Sequence, residues 1–392
     1  MGKRGSLVLL ILAEIAAMGL WFVSAAVLPA MLAERAIGPL AQAALSSGVQ
    51  LGFVAGALLS AGLGLADRLD PRRFLATSAL LAALANALLV LLPIGSAGAI
   101  ALRVATGLLL AGVYPVGMKI AVGWGKADRG LLVGLLVGGL TLGSATPHLL
   151  ALVGDSDWRL TVLLASGAAG LGALLVLPAG LGPYHARAPR LALGAVALAW
   201  TDRRIRLAYL GYLGHMWELY AMWAWIAAAA AASYAASLPA ASALRLGSWT
   251  AFAAVGAGGF ACALAGLLAD RLGKRRVAMA AMAVSGSAAV ASALAFGGPV
   301  WLTFALALVW GLAVVPDSAQ FSALVADFAP PDQAGSLMTL QTALGFALTV
   351  LTVQATPWLA ANLGWPPVLA LMALGPAYGL WAMARLGRVA AT

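Results

Sequence analysis

The sequence predicts an all-α membrane protein, with twelve transmembrane helices in two pseudo-symmetric six-helix bundles. Three observations predict it. The chain of 392 residues is 63% hydrophobic and 9% charged, with a mean hydropathy of +0.98. Features of its first half recur in its second at a nearly constant separation. Its basic residues fall on alternate connections between apolar runs.

The apolar runs are long and continuous, which suits helices, whose backbone groups are satisfied within the segment, rather than the short alternating strands of a barrel. The predicted spans cover 6–31, 40–66, 73–93, 97–122, 130–153 and 159–180, then 207–234, 246–268, 276–296, 300–326, 335–361 and 365–385. A polar stretch, 181–206, separates two bundles at 1–180 and 207–392. Met1-Gly2-Lys3-Arg4 before an apolar run is signal-peptide-like, but that run carries Glu14 and duplicates a later helix, so it reads as span 1. The single cysteine, Cys262, allows no internal disulfide. The net charge of +10 would suit nucleic acid, but its placement follows the membrane. With the N-terminus in the cytoplasm, eighteen of the 23 Lys and Arg lie in cytoplasmic segments, and only Arg35, Arg159 and Arg245 on the other side. This bias fails if one helix is added or removed. It places both termini in the cytoplasm and 181–206 as a cytoplasmic loop.

The duplication is visible in residues. Glu14-Ile15-Ala16-Ala17-Met18-Gly19-Leu20-Trp21 returns as Glu218-Leu219-Tyr220-Ala221-Met222-Trp223-Ala224-Trp225, offset by 204. Ala66-Asp67-Arg68-Leu69 returns as Ala269-Asp270-Arg271-Leu272, offset by 203. At helical spacing Glu14, Met18 and Trp21 share one face, as do Glu218, Met222 and Trp225, with His215 one turn before Glu218.

Ionisable residues inside spans are few: Glu14 in span 1, Arg103 and Lys119 in span 4, His215 and Glu218 in span 7, Asp317 in span 10. Each costs about 2.5–3.5 kcal/mol at a helix centre, so these groups must face one another or water. Acids and histidines in such places serve as proton relays, making Glu14, Glu218 and Asp317 candidate proton carriers with His215 a partner. A structural ion pair of Glu14 with Lys119 or Arg103 is the alternative. Arg103 also suits an anionic substrate group. Pro115 and Pro316 should each weaken their helix, and Pro316-Asp317-Ser318-Ala319-Gln320 would set a carboxylate, a hydroxyl and an amide at a bend. Glycines every fourth residue (Gly48, Gly52, Gly56 and Gly64 with Ser60, and Gly130, Gly134, Gly138) predict close helix contacts, either static or sliding between the halves.

Gly266-Leu267-Leu268-Ala269-Asp270-Arg271-Leu272-Gly273-Lys274-Arg275 matches in full the G-x-x-x-D-R-x-G-R/K-R/K pattern and resembles the loop signature of the major facilitator superfamily. The earlier copy is degraded, with Leu63 and Asp70 at the glycine positions. Arg103-Val104-Ala105-Thr106-Gly107 resembles the R-x-x-x-G element of span 4 in that superfamily. The resemblance implies the major facilitator fold, and a central cavity lined by spans 1, 4, 7 and 10, the spans that carry the charges. It implies a cytoplasmic gate of Asp67, Arg68, Gly266, Asp270, Arg271 and Gly273, with Asp67 engaging the start of span 11 and Asp270 that of span 5. It associates Arg103 with proton coupling.

The expected substrate and proton cavity is therefore Glu14, Met18, Trp21, Arg103, His215, Glu218, Met222, Trp225, Asp317 and Gln320. His148, after Pro147, reads as a packing histidine. No metal cluster, phosphate loop or nucleophile–base motif is evident, so no cofactor and no enzyme activity are expected. Nor does the chain carry a selectivity filter. The expected function is secondary active transport of a small organic solute by alternating access, coupled to protons. Import is favoured because span 5 lacks the adjacent Gly-Pro of drug–proton antiporters. A proton-driven multidrug or metabolite exporter is the alternative. The expected setting is a monomer in the plasma (inner) membrane, with solute, protons and lipid as its only partners.

Overall fold

The computed structural model describes residues 1–125, 128–153, 157–185, 194–330 and 333–389, with the side chains at 66, 67, 129, 130 and 194–196 outside the description. Eleven helical segments among them are long and apolar enough to cross a membrane: Lys3–Glu34, Pro39–Leu63, Pro71–Leu91, Ala97–Val122, Leu131–Val153, Trp158–Leu175, Ala240–Leu272, Lys274–Leu294, Val300–Phe328, Ala334–Leu363 and Trp365–Val389. The twelfth, span 7, is the 32-residue helix Arg203–Tyr234. At 1.5 Å per residue it is about 48 Å long, but its His215, Glu218 and aromatic residues dilute its hydropathy. Nearly all its inward positions are buried in protein, so it needs little apolar surface of its own. Numbered in chain order, these twelve are spans 1–12.

Each half repeats one packing scheme. Span 1 packs on spans 5 and 6, span 2 on 4, and span 3 on 4 and 6; span 7 packs on 11 and 12, span 8 on 10, and span 9 on 10 and 12. The halves meet along two seams, span 5 with span 8 and span 2 with span 11. The face where span 1 begins is here the near face and the opposite one the far face. Most of the polar stretch predicted as a loop is either outside the described residues, at 186–193, or helical, at Gly194–Thr201. Asp202 then caps span 7 by accepting from the Arg204 and Ile205 backbone N–H groups.

The glycines make close crossings possible, and the two stripes have different partners. Gly48, Gly52 and Gly56 face Arg103, Val104 and Leu108 of span 4, inside the first half, so that stripe is static packing. Gly134 and Gly138 face Ala263 and Gly259 of span 8, across the seam between halves. A Cβ on Gly107 would overlap the Val49 carbonyl of span 2, and a Cβ on Gly311 would overlap the Ala254 carbonyl of span 8. These two glycines are 204 residues apart, so the backbone crossing is itself duplicated. Gly107→Ala and Gly311→Ala should each cost about 3 kcal/mol or more, because two backbones must separate. Gly48→Ala, whose Cβ would sit at ordinary contact distance (3.4 Å), should leave thermal unfolding unchanged. Equal melting of all three variants would refute the crossing.

The two copies of the Asp-Arg connection fold differently. Span 8 runs unbroken through Asp270 and Arg271 to Leu272 and turns at Gly273, whose φ of +89° suits glycine. In the first copy the chain turns earlier, at Gly64 (φ +62°), and Leu65–Arg68 form one helical turn. Asp70, standing where the signature has glycine, instead caps span 3. It accepts from the Arg72 and Arg73 backbone N–H groups and pairs with the Arg72 guanidinium at 2.7 Å. The Arg72 guanidinium first, and then those backbone donors, lower the Asp70 carboxyl to about 2. A depressed carboxylate stabilises the fold above its unfolded value near 4 and loses that contribution as pH falls toward about 2. Asp70 is partly exposed, so Asp70→Ala should cost about 1 kcal/mol at neutral pH, with most of that difference gone by about pH 2. A pH-independent difference in unfolding would contradict this.

Candidate functional site

Four of the spans are broken near mid-membrane. Span 4 breaks at Ala111–Val113 and span 10 at Val315–Asp317, just ahead of Pro115 and at Pro316, as the missing backbone donors require. Span 12 breaks at Ala373, ahead of Pro376, and Trp217 Nε1 donates to the nearby Leu371 carbonyl at 3.0 Å. Span 1 breaks at Gly19–Phe22, although its only proline, Pro29, lies seven residues past the break. Its cause is Arg103. One guanidinium nitrogen donates to the Leu20 carbonyl at 2.9 Å and to the Trp21 carbonyl at 2.7 Å, replacing the helical donors those oxygens would otherwise have. The other nitrogens donate to the Leu45 carbonyl (3.1 Å) and Asn86 Oδ1 (2.7 Å). Asn86 in turn donates to Ser166 Oγ of span 6 at 3.0 Å. Arg103 is fully buried and committed to neutral oxygens of spans 1, 2 and 3. The expectation that it faces the cavity is corrected: its donors are used to hold the first half together.

The three acids are all buried within protein, none toward lipid. Glu218 is held by its own half: Ser285 Oγ of span 9 donates to one oxygen at 2.9 Å, and Trp310 Nε1 of span 10 donates to the other at 2.6 Å. Asp317 Oδ1 lies 2.8 Å from His215 Nδ1, joining span 7 to the break in span 10. Glu14 differs from both. Its carboxylate lies against Gly117 of span 4, where a Cβ would come within 2.9 Å of Oε2. Neither of its oxygens has a hydrogen-bond partner among the described residues. Its repeat-related surroundings explain this. At the 204-residue offset that relates the two Glu residues, Ser285 and Trp310 stand where the first half has Leu81 and Thr106. Leu81 has no side-chain donor, and the Thr106 hydroxyl already donates to the Leu102 carbonyl at 2.8 Å. His148 is likewise buried with both ring nitrogens unpartnered among the described residues.

The stripes predicted to line one cavity divide between layers. Met18 is fully buried against Gly143 of span 5, and Met222 and Gln320 are buried too. Trp21 enters a cluster between the halves: its ring lies 4.9 Å from Phe53, 5.6 Å from Tyr220 and 5.5 Å from Phe346. Phe22 and Trp223 meet beside it at 5.8 Å. Trp225 donates from Nε1 to the Val353 carbonyl at 3.1 Å, an oxygen left free by Pro357 four residues on.

On the far side of these rings a cavity of about 510 Å3 opens between the halves, lined by residues of spans 1, 2, 7, 8, 11 and 12, among them Ala25, Leu28, Gln42 and Trp365. Of the residues predicted to line the cavity, only Trp225 does so. Across the span 2–span 11 seam, Ser47 Oγ donates to Gln354 Oε1 (2.7 Å) and Gln354 Nε2 to the Leu40 carbonyl (3.0 Å).

The predicted gate is less complete. Asp270 and Arg271 are exposed, and Asp270 has no hydrogen bond or ion pair among the described residues. The Asp67 side chain lies outside the description, as do those at the start of span 5. Arg68 and Gly266 are exposed or partly so. Sequence reasoning missed Ser285, Trp310 and Asn86. Asn86 carried a signal, being a lone amide in an apolar run; the other two did not. Among the described residues no group of three His, Cys, Asp or Glu could hold a metal ion.

No curated protein matches the sequence. The fold does match solved structures. A variant of the nucleoside transporter NupG superposes with a TM-score of 0.73 at 14% identity, over 98% of this chain and 100% of that one. The xylose transporter XylE from E. coli, in a partially occluded inward open conformation, gives 0.75 at 12% identity over 98% and 97%. A D-xylose–proton symporter gives 0.73 at 12% identity over 98% and 96%. At these identities the likeness is one of fold. The sequence profile of the Major Facilitator Superfamily matches residues 9–265. Two six-helix halves, the duplicated crossing and a profile match over most of the chain lead to one conclusion: this protein is a member of the major facilitator superfamily, a secondary transporter and not an enzyme.

Proposed function

We propose that the chain moves a small organic solute by alternating access, driven by protons and in the direction of import. The bundles at 1–180 and 207–392 rock about the two seams, with 181–206 and both termini on the cytoplasmic side of the plasma membrane, and the chain acts as a monomer. The observation that carries proton coupling is Glu14. It is sealed in span 1 with neither oxygen bonded among the described residues, whereas both oxygens of Glu218 accept hydrogen bonds and Asp317, whose Oδ1 makes no hydrogen bond of good geometry, still has His215 Nδ1 2.8 Å away. An acid with no partner of its own is the one free to exchange a proton when the halves move. His215 and Asp317, bridging span 7 to the break in span 10, form a second exchange point. One of the fold neighbours is described as a proton symporter, which agrees with this reading. Asp270, with Asp67, Arg68, Gly266, Arg271 and Gly273, would latch the near face in the alternate conformation.

Moving one proton inward is worth about 2.3 kcal/mol per 100 mV. Purified protein in proteoliposomes, loaded with a pH-sensitive dye, tests the coupling. Solutes first selected from a library by thermal shift should each draw protons inward with the solute. Solute flux that ignores both an imposed pH gradient and an imposed potential would refute it. A second reading, export, is favoured by the apolar lining of the far-face cavity. Growth with toxic lipophilic compounds separates the two, since an exporter confers resistance and an importer sensitivity.

A further inference from the structure

We propose that the far-face cavity is the solute site and that its solute is an uncharged, ring-bearing apolar molecule with a single hydrogen-bond donor. The inference rests on the reading above, that solute passes between the halves. The cavity of about 510 Å3 lies inside the range of about 300–1,000 Å3 that small-molecule pockets occupy. One wall is a helical stripe of span 7, Trp225, Ala228, Ala232 and Ala235, and Trp365 at the start of span 12 also lines the space. Alanines make that wall smooth and shallow, while two indoles supply flat apolar surface for a ring. No charged residue lines it among the described residues. An ion entering would give up hydration worth several kcal/mol and meet no opposite charge in return.

The polar lining is specific in kind. Only Gln42 and Ser248 contribute side-chain polar atoms beyond the indoles. The Gln42 amide nitrogen already donates to the Ile37 carbonyl at 2.9 Å, and Ser248 Oγ to the Leu244 carbonyl at 3.3 Å. Trp225 Nε1 is taken by the Val353 carbonyl. Gln42 Oε1 and Ser248 Oγ remain as acceptors, so a solute hydroxyl or N–H is matched. The donors that remain, the second Gln42 N–H and the Trp365 indole N–H, are neutral and give a solute carboxylate no opposite charge.

The acids cannot compensate for this. On span 1 the first lining residue, Ala25, is 11 residues beyond Glu14 and past the break; on span 7 the lining residue nearest Glu218 is Trp225, 7 residues on, about 10 Å along the helix axis. Between the layers stand the rings of Trp21, Phe22, Tyr220, Trp223 and Phe346, in contact at 5.0–5.8 Å. The solute in this cavity touches no carboxylate and needs no charge to balance one.

The test uses the full chain in lipid nanodiscs, with protein-free nanodiscs as the partition control, and a matched series at pH 7. The series is 1-naphthol, 1-methoxynaphthalene, 1-naphthoate and 1-naphthylmethylammonium, measured by equilibrium dialysis. Protein-dependent binding of naphthol should exceed that of either ion at least tenfold and that of the methoxy compound severalfold. Ala228→Phe, which fills the cavity, should lower naphthol binding at least tenfold at an unchanged melting temperature, and Ala232→Phe should repeat the result should the first variant fold poorly. Equal or tighter binding of an ion, or full naphthol binding by a folded Phe variant, would overturn the proposal. Binding is read without any gradient. Naphthol binding without proton movement would therefore support the site and remove the coupling, while proton movement without naphthol binding would do the reverse.

Discussion

Replacing Glu14 by Gln should abolish uphill accumulation of solute while leaving a folded protein. The substitution keeps size and shape and removes only the ability to carry a proton. Neither carboxylate oxygen has a partner to lose among the described residues, so the change in stability should stay within about 1–2 kcal/mol, the cost of placing new amide donors there. The loss of function is much larger. One coupled proton at 100 mV contributes about 2.3 kcal/mol, equivalent to an accumulation ratio of about 50-fold. Proteoliposome uptake under an imposed potential should then fall to simple equilibration, with facilitated exchange preserved. Glu218→Gln makes the informative contrast. It disturbs the bonds from Ser285 and Trp310, so it should lower the melting temperature as well. Normal accumulation by the Glu14→Gln protein would move the coupling to His215 and Asp317.

Arg103→Ala should be the most destabilising single change in the first half. It leaves the Leu20, Trp21 and Leu45 carbonyls and the Asn86 amide oxygen facing one another without a donor in a sealed space. Breaking a buried charged network costs about 3–5 kcal/mol, on the order of 10 °C in melting temperature. Arg103→Lys should rescue little, because an ammonium is a point charge and the four acceptors need a planar fork. Thermal unfolding in detergent reads both variants. A Lys variant that melts normally but fails to transport would restore Arg103 to the coupling or substrate role that its R-x-x-x-G context implied.

These two residues show where sequence reading succeeds and where it ends. That span 1 carries an acid and span 4 a guanidinium is visible as charges in apolar runs, and an ion pair between them is the alternative that those charges leave open. The structure separates them: Glu14 lies against Gly117, and Arg103 reaches the carbonyls at the break in span 1. Likewise the two Glu residues look equivalent in the repeat, but the donors that distinguish them lie 67 and 92 residues away in sequence. Span 7 is legible as a crossing but is less apolar than the other eleven, because burial by neighbouring helices relieves it of the need for an apolar surface. The Asp70 position reads as damage to a glycine signature and is a helix cap.

What the sequence determined alone is whatever each segment decides locally: twelve crossings, the two-fold repeat, the breaks at Pro115 and Pro316, and which spans carry charge. A missing backbone donor, or an apolar run about as long as a bilayer is thick, acts within a few residues. Tertiary structure alone decided which glycine stripe packs inside a half and which crosses between halves, why span 1 breaks at Gly19–Phe22, ahead of its proline, and which acid has neither oxygen bonded among the described residues. Those outcomes depend on helix rotation and on partners brought from distant spans, and side-chain direction is set only when the helices have packed.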